Sequence, residues 1–282
     1  MIESPRLVCL GFDWSVESDD PALVRSVTSL YDACVATGSA RHRFGLRHAD
    51  RTDPSRLTLS RDGSVVLENV PPGLAVARLV WEVNRGVVEE STGHVLLHAA
   101  AAEREGSVVL LAGPSRAGKS TLVAALVRAE LRYVTDETVA IDPASAGIVP
   151  YPKPIGLERG SWPLLPDLRP DAEAGGGEPE QWLVPPRSIR ADAVAPSGGV
   201  ASLVLFPAHR PGHPTKAQPI ARAEAAVALA EHSFNFRSFG PGALDVIARV
   251  LRTSRCFRLE VGDLDDACRL VLDLLEPAAV EG

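Results

Sequence analysis

Residues Gly113-Pro114-Ser115-Arg116-Ala117-Gly118-Lys119-Ser120 fit the pattern G-x-x-x-x-G-K-[ST], a spacing that suits an anion. Successive backbone N–H groups must turn inward around phosphate oxygens, and glycine permits the positive φ and close approach this requires. A helix starting near Lys119 would aim its free N–H groups and positive dipole end at the same charge. In that setting Lys119 reaches the β- and γ-phosphates of a nucleotide and the Ser120 hydroxyl ligates Mg²⁺. Residues 113 to 120, with Thr121 behind them, are the expected nucleotide contacts.

Asp136 and Glu137 follow Lys119 by only 17 and 18 residues. Two carboxylates beside one metal-bound phosphate can divide the work: one helps to hold Mg²⁺, the other accepts a proton from an attacking hydroxyl. The alternative is a turn-capping acid with a solvated neighbour. His98 lies 15 residues before Gly113, at the end of an expected strand; it is either a packed, hydrogen-bonded imidazole or part of the site. His94, His209, His213 and His232 show no metal-ligand spacing and receive no role.

The elements around these residues supply the context the motif needs. "HVLLHAAAAEREGSVVLLAG" reads as two strands about a turn at Glu103 to Gly106, Ser107 to Ala112 being a short apolar run typical of a buried central strand. Lys119 to Ala129 is an expected helix, and "RYVTDETVAID" an expected single strand. Farther on, "ASLVLFPA" reads as a strand, Pro207 to Pro219 as a long loop, and residues 221–232 and 241–253 as helices. "CFRLEV" then forms a strand, leading to a helix capped by Asp263. Residues 171–180, "DAEAGGGEPE", are the strongest candidate for a mobile loop.

Before the motif, residues 5 to 16 suggest a strand, "DDPALVRSVTSLYDAC" a helix, and "RLTLSRDGSVVLENV" a hairpin turning at Asp62-Gly63. "GLAVARLVWEVNRGVVEES" suggests another helix. Residues 1–92 carry no chemical motif and are expected to form a small α+β module, a scaffold or docking surface. Residues 93–282 are expected to form an α/β P-loop domain, a mixed sheet with flanking helices.

Composition narrows the partners. A formal net charge of −7 argues against nucleic acid, whose phosphates demand a basic surplus. No apolar run approaches the about 18 residues of a membrane span, and "MIESPRLVCLGFDW" lacks a signal-peptide core, so a cytoplasmic location is expected. Cys9, Cys34, Cys256 and Cys268 are far apart without a CxxC spacing, and read as small buried side chains, not zinc ligands or disulfides.

The combination "LLHAAAAEREGSVVLLAGPSRAGKSTLVAALVRAELRYVTDETVAID" resembles the catalytic core of the HPr kinase/phosphorylase superfamily. Within it, the chain is most similar to small serine kinases found beside genes for ribosomally made peptides, lasso-peptide precursors among them. The likeness is densest over residues 94 to 162 and looser through "FPAHRPGHPTKAQPI", "EHSFNF" and "CFRLEVGDLDDA". It implies an HPr kinase-like fold and a kinase using ATP and Mg²⁺ on a serine hydroxyl of a protein or precursor peptide. Asp136 takes the place of the base, His98 lies near the phosphates with Lys119, and Glu137 joins Ser120 as a metal ligand. The superfamily is commonly hexameric, which makes a homo-oligomer an open expectation.

Several positions depart from the family pattern. Arg116 stands where relatives often carry glycine, and Glu137 where aspartate is common. Glu158 and Arg159 occupy a region where relatives place a basic residue, and Lys153 sits between Pro152 and Pro154. Arg159 and Lys153 are candidates for contact with phosphate or a peptide carboxylate, or simply part of a solvated turn; Arg116 either points outward or leans over the phosphates as an extra cation, and Glu137 remains a workable metal ligand on a longer arm. Two other functions stay open at this stage: a nucleotide-dependent binding or assembly factor without transfer, and a small-molecule kinase acting on free serine or a sugar.

Overall fold

The computed structural model describes residues 1–50, 53–170 and 181–276. The loop expected at 171–180 lies outside the described residues. The chain divides into two compact units, Met1–Ser91 with Pro152–Ser188, and Thr92–Tyr151 with Ile189–Gly282. The expected single cut at 92/93 therefore needs correction, because residues 152–188 return to the first unit. That segment brings its own apolar side chains: Ile155, Leu157, Trp182, Leu183 and Val184 are buried in or beside the hairpin Ile155–Glu158/Gln181–Val184. A boundary read from composition could not anticipate this, since proline-rich text signals irregular backbone and not which core it joins.

In the first unit the expected strand at 5–16 is a hairpin, Arg6–Cys9 and Phe12–Ser18, turned by Leu10 and Gly11 at φ 50° and 89°. The Asp62-Gly63 turn is present, with φ 51° and 82° between strands Asp53–Arg61 and Ser64–Val70. Strand His42–Asp50 joins them, parallel to Phe12–Ser18. Helix Pro21–Leu30 starts at Asp20, whose carboxylate accepts from Ala22 N. Trp14, Tyr31 and Phe44 meet edge-to-face in the core beneath, an arrangement aromatic quadrupoles favour. Helix Pro72–Glu90 packs so closely that a Cβ on Gly86 would lie 2.5 Å from the Phe12 ring.

The second unit is a mixed sheet with helices against it. Among the described residues it has eight strands, and the central ones run in the order Thr138–Ile141, Val95–Arg104, Ser107–Ala112, Val200–His209, Arg255–Val261. Ser107–Ala112 and Arg255–Val261 both pair parallel to Val200–His209, while Val95–Arg104 pairs antiparallel to Ser107–Ala112. As its composition suggested, Ser107–Ala112 is central and buried beyond its first residue. Helix Lys119–Ala129 follows the motif, and Asp263 caps helix Leu264–Leu275 by accepting from Asp266 N.

Two expectations about this unit change. The long loop at 207–219 is mostly strand: Val200–His209 runs on, and Lys216–Pro219 pairs antiparallel with Arg255–Val261. Both prolines are tolerated because they sit where a ladder bond is not needed. The pairing with Ser107–Ala112 ends at Leu205↔Leu111, so Pro207 has a strand neighbour on one side only, and Pro219 is on the sheet's edge. The expected single strand at 132–142 is broken into Arg132–Thr135 and Thr138–Ile141, both paired with Val95–Arg104, and the break falls on the acid pair. All four cysteines are free and buried. Among the described residues no helix is long and apolar enough to cross a membrane.

Candidate phosphate-binding site

The loop leaves strand Ser107–Ala112 at its C-terminal end and closes onto helix Lys119–Ala129. Three residues in it take positive φ: Gly113 at 154°, Arg116 at 65° and Gly118 at 92°. Gly118 is the N-cap of the helix and has open space where a Cβ would go, so it is required for its backbone angle and not for room. Arg116 accepts the left-handed region without that freedom, and its side chain is exposed.

Lys119 is buried, 5% exposed, and its Nζ donates to the Gly113 and Pro114 carbonyls, each at 2.8 Å. The ammonium is thus folded back over the loop whose phosphate it would serve. Burial pushes its pKa down, and the charges of Asp136 and Glu137 oppose that. Ser120 Oγ donates to Asp136 Oδ1 at 3.1 Å, and Glu137 N donates to the same oxygen at 2.9 Å. Asp136 is 3% exposed, Glu137 half-buried.

The acids owe their placement to a tight turn. Thr138 N donates to Asp136 O at 2.8 Å, and Glu137 between them has φ 70°. That is a γ-turn of the rarer, strained kind. Thr135 Oγ1 ties the turn shut by donating to Thr138 O at 2.8 Å. A regular strand would send neighbouring side chains to opposite faces; the turn suspends that alternation where the two carboxylates lie. Strain of this sort concentrates at functional sites.

His98 is brought to the same place. It pairs with Thr138 across the ladder, and its imidazole pKa is lowered by burial and by the Lys119 charge, with Glu137 opposing. The structure therefore gathers Lys119, Ser120, Asp136, Glu137 and His98 from three elements: the helix after the loop, the turn and strand Val95–Arg104. Lys153, Glu158 and Arg159 belong to the other unit: Lys153 is 2% exposed, Glu158 pairs with Gln181, and the Arg159 guanidinium lies 5.5 Å from the Trp162 ring centroid.

One residue here was passed over in the sequence. His232 follows helix Arg222–Glu231, and its carbonyl accepts from His98 N at 2.7 Å. Its pKa too is lowered by burial and by the Lys119 charge. A metal-ligand spacing was the wrong signal to seek for it. The stretch His232-Ser233-Phe234-Asn235 between two helices, with three polar side chains around one aromatic, was the available hint.

The donor set fits magnesium. Ser120 Oγ and the carboxylates are hard oxygen donors. Among the described residues no group of three or more His, Cys, Asp or Glu forms a cation cage, so a cation here would draw its remaining ligands from phosphate and water.

No family model matches the chain. A stretch of 122 residues, 39% of the chain, is 32% identical to the tRNA modification GTPase MnmE of Mesorhizobium japonicum, and the match spans 27% of that protein's length. Among solved structures, the Hpr(Ser) kinase/phosphatase from Coxiella burnetii is similar at a TM-score of 0.33 and 14% identity, over 64% of this chain and 93% of that one.

Proposed function

We propose that the chain is a kinase that transfers the γ-phosphoryl group of ATP to a serine hydroxyl of a protein or ribosomal precursor peptide, lasso-peptide precursors being the favoured class. The observation that carries this reading is the hydrogen bond from Ser120, at the metal position of the loop, to the buried carboxylate of Asp136. A loop holding a bare anion would need no carboxylate there, because negative charge beside a phosphate weakens its binding, whereas a site for a magnesium nucleotide uses one to hold the cation. Phosphoryl transfer needs one, to manage the cation and the departing proton.

In this reading the loop N–H groups and Lys119 hold the β- and γ-phosphates, Lys119 exchanging two carbonyl partners for anionic oxygens. Magnesium, held through Ser120 and Glu137, would neutralise charge on the transferring group. Asp136 orients the acceptor hydroxyl and takes its proton as the new oxygen–phosphorus bond forms and the bond to the β-phosphate breaks, leaving ADP. His98 lies beside the phosphates. The part-length likeness to a GTPase supports nucleotide use, and the guanine nucleotide is the natural competitor to test as donor.

The same hydrogen bond favours one specific second reading, in which the acids trade roles. Asp136 then holds the metal-side hydroxyl, and the half-buried Glu137 takes the proton. Mass spectrometry of a serine-ended precursor peptide and of free serine, each incubated with Mg-ATP, tests transfer and acceptor class together. Asp136→Asn is expected to cut transfer by about 10² to 10⁴-fold with ATP affinity retained. An Asp136→Asn chain that still phosphorylates at the native rate overturns the role of that acid. A magnesium midpoint that rises in Asp136→Asn and not in Glu137→Gln selects the exchanged assignment. Binding of ATP with no labelled product from any acceptor leaves a nucleotide-dependent assembly factor.

A further inference from the structure

The edge of strand Val95–Arg104 changes partner beside the phosphate loop. From Ala99 onward it pairs with Ser107–Ala112, ending at Ala99↔Ala112, where the loop turns away. Residues 232–235 take over the vacated edge. His98 N donates to His232 O at 2.7 Å and Phe234 N to Leu96 O at 2.9 Å. Ser233 Oγ also donates to Leu96 O at 2.9 Å. Asn235 closes the clamp: its Oδ1 accepts from Leu96 N, and its Nδ2 donates to His94 O, both at 2.9 Å.

The clamp holds His232 and Phe234 against the stretch of strand that carries His98. The Phe234 ring is 5.7 Å from that of His98. His232 lies near enough to Lys119 and His98 to feel the lysine's charge and to exert its own on the other imidazole. None of the clamp bonds uses the His232 side chain, so the clamp itself does not account for an imidazole at this position.

Resting on the kinase reading above, we propose that His232 is a second phosphate-facing histidine. Its ring N–H donates to the terminal phosphoryl group anchored by Lys119, opposite the acid pair, and so separates a nucleoside triphosphate from a diphosphate. A neutral imidazole suits this task, since it offers one donor without adding a full positive charge beside Lys119. Phe234 shields the same flank from water, which would compete with the acceptor hydroxyl.

The test is calorimetric titration of the full chain, in magnesium, with the β,γ-imido analogue of ATP and with ADP. His232→Ala is expected to weaken the triphosphate analogue by about 10- to 100-fold, the worth of one hydrogen bond to a charged group, and to leave ADP within about twofold. His232→Gln, which restores an N–H near the Nε2 position, should recover most of the loss. Equal weakening of both nucleotides means a structural role and overturns the proposal, as does no change in either. If the unaltered chain binds neither nucleotide, the kinase reading itself falls, and this assignment with it. The far-UV melting curve of each variant shows that the clamp survives.

Discussion

Two backbone angles in the phosphate loop can be separated by substitution. Gly118 and Arg116 both have positive φ, 92° and 65°, but only Gly118 is the N-cap of helix Lys119–Ala129. Gly118→Ala meets no atom within 4 Å, so its cost is the left-handed backbone alone, about 1–2 kcal/mol. The expected outcome is a thermal midpoint lower by several degrees and weaker nucleotide binding, read by melting with and without Mg-ATP. A midpoint unchanged in both conditions would show that the helix start does not need this angle. At Glu137 the geometry runs the other way. A charged residue occupies φ 70° where glycine would be cheaper, so the acid is kept at a conformational cost its chemistry must justify.

At the scale of elements, the site depends on how two irregular pieces edge one strand. The γ-turn at 136–138 borders Val95–Arg104 on one side and the 232–235 clamp borders it on the other. Asn235 bonds the strand at both Leu96 N and His94 O. Asn235→Ala should therefore leave a buried N–H without its acceptor, at about 1–3 kcal/mol. Faster amide exchange at Leu96 and a lowered thermal midpoint are expected, with the distant ladder between Val200–His209 and Arg255–Val261 unaffected. Exchange at Leu96 no faster than in the native chain would show that water or backbone replaces the amide. The break in the 132–142 run was hidden because its residues, "RYVTDETVAID", suit a continuous strand. The Glu137 φ and the bonds across the turn, Thr138 N to Asp136 O and Thr135 Oγ1 to Thr138 O, reveal the interruption.

For the molecule as a whole, the interrupted second unit makes truncation informative. A chain of residues 93–282 carries Ile155, Leu157, Trp182 and Val184 but lacks Met1–Ser91, with which that segment forms a compact unit. Those side chains would meet water, and exposed apolar surface of this kind drives association. Aggregation or binding of a hydrophobic dye is expected from the shortened chain in light scattering or fluorescence, and not from the full one. A monodisperse, dye-silent 93–282 would show that the segment needs no partner.

The sequence by itself determined the phosphate loop, the strand before it, the helix after it, the Asp62-Gly63 hairpin and the Asp263 cap. Each of these rests on interactions among residues a few positions apart, where glycine angles, capping side chains and apolar period are written locally. It also marked His98, Asp136 and Glu137 as candidates by their distance from the loop. Tertiary structure alone decided that the acids sit on a strained turn hydrogen-bonded to Ser120, that His232 joins His98 from more than a hundred residues away, and that 152–188 returns to the first unit. These are contacts between segments remote in the chain. They are chosen by which edges and apolar faces remain to be covered once the local elements have formed, and no short window of residues contains that choice.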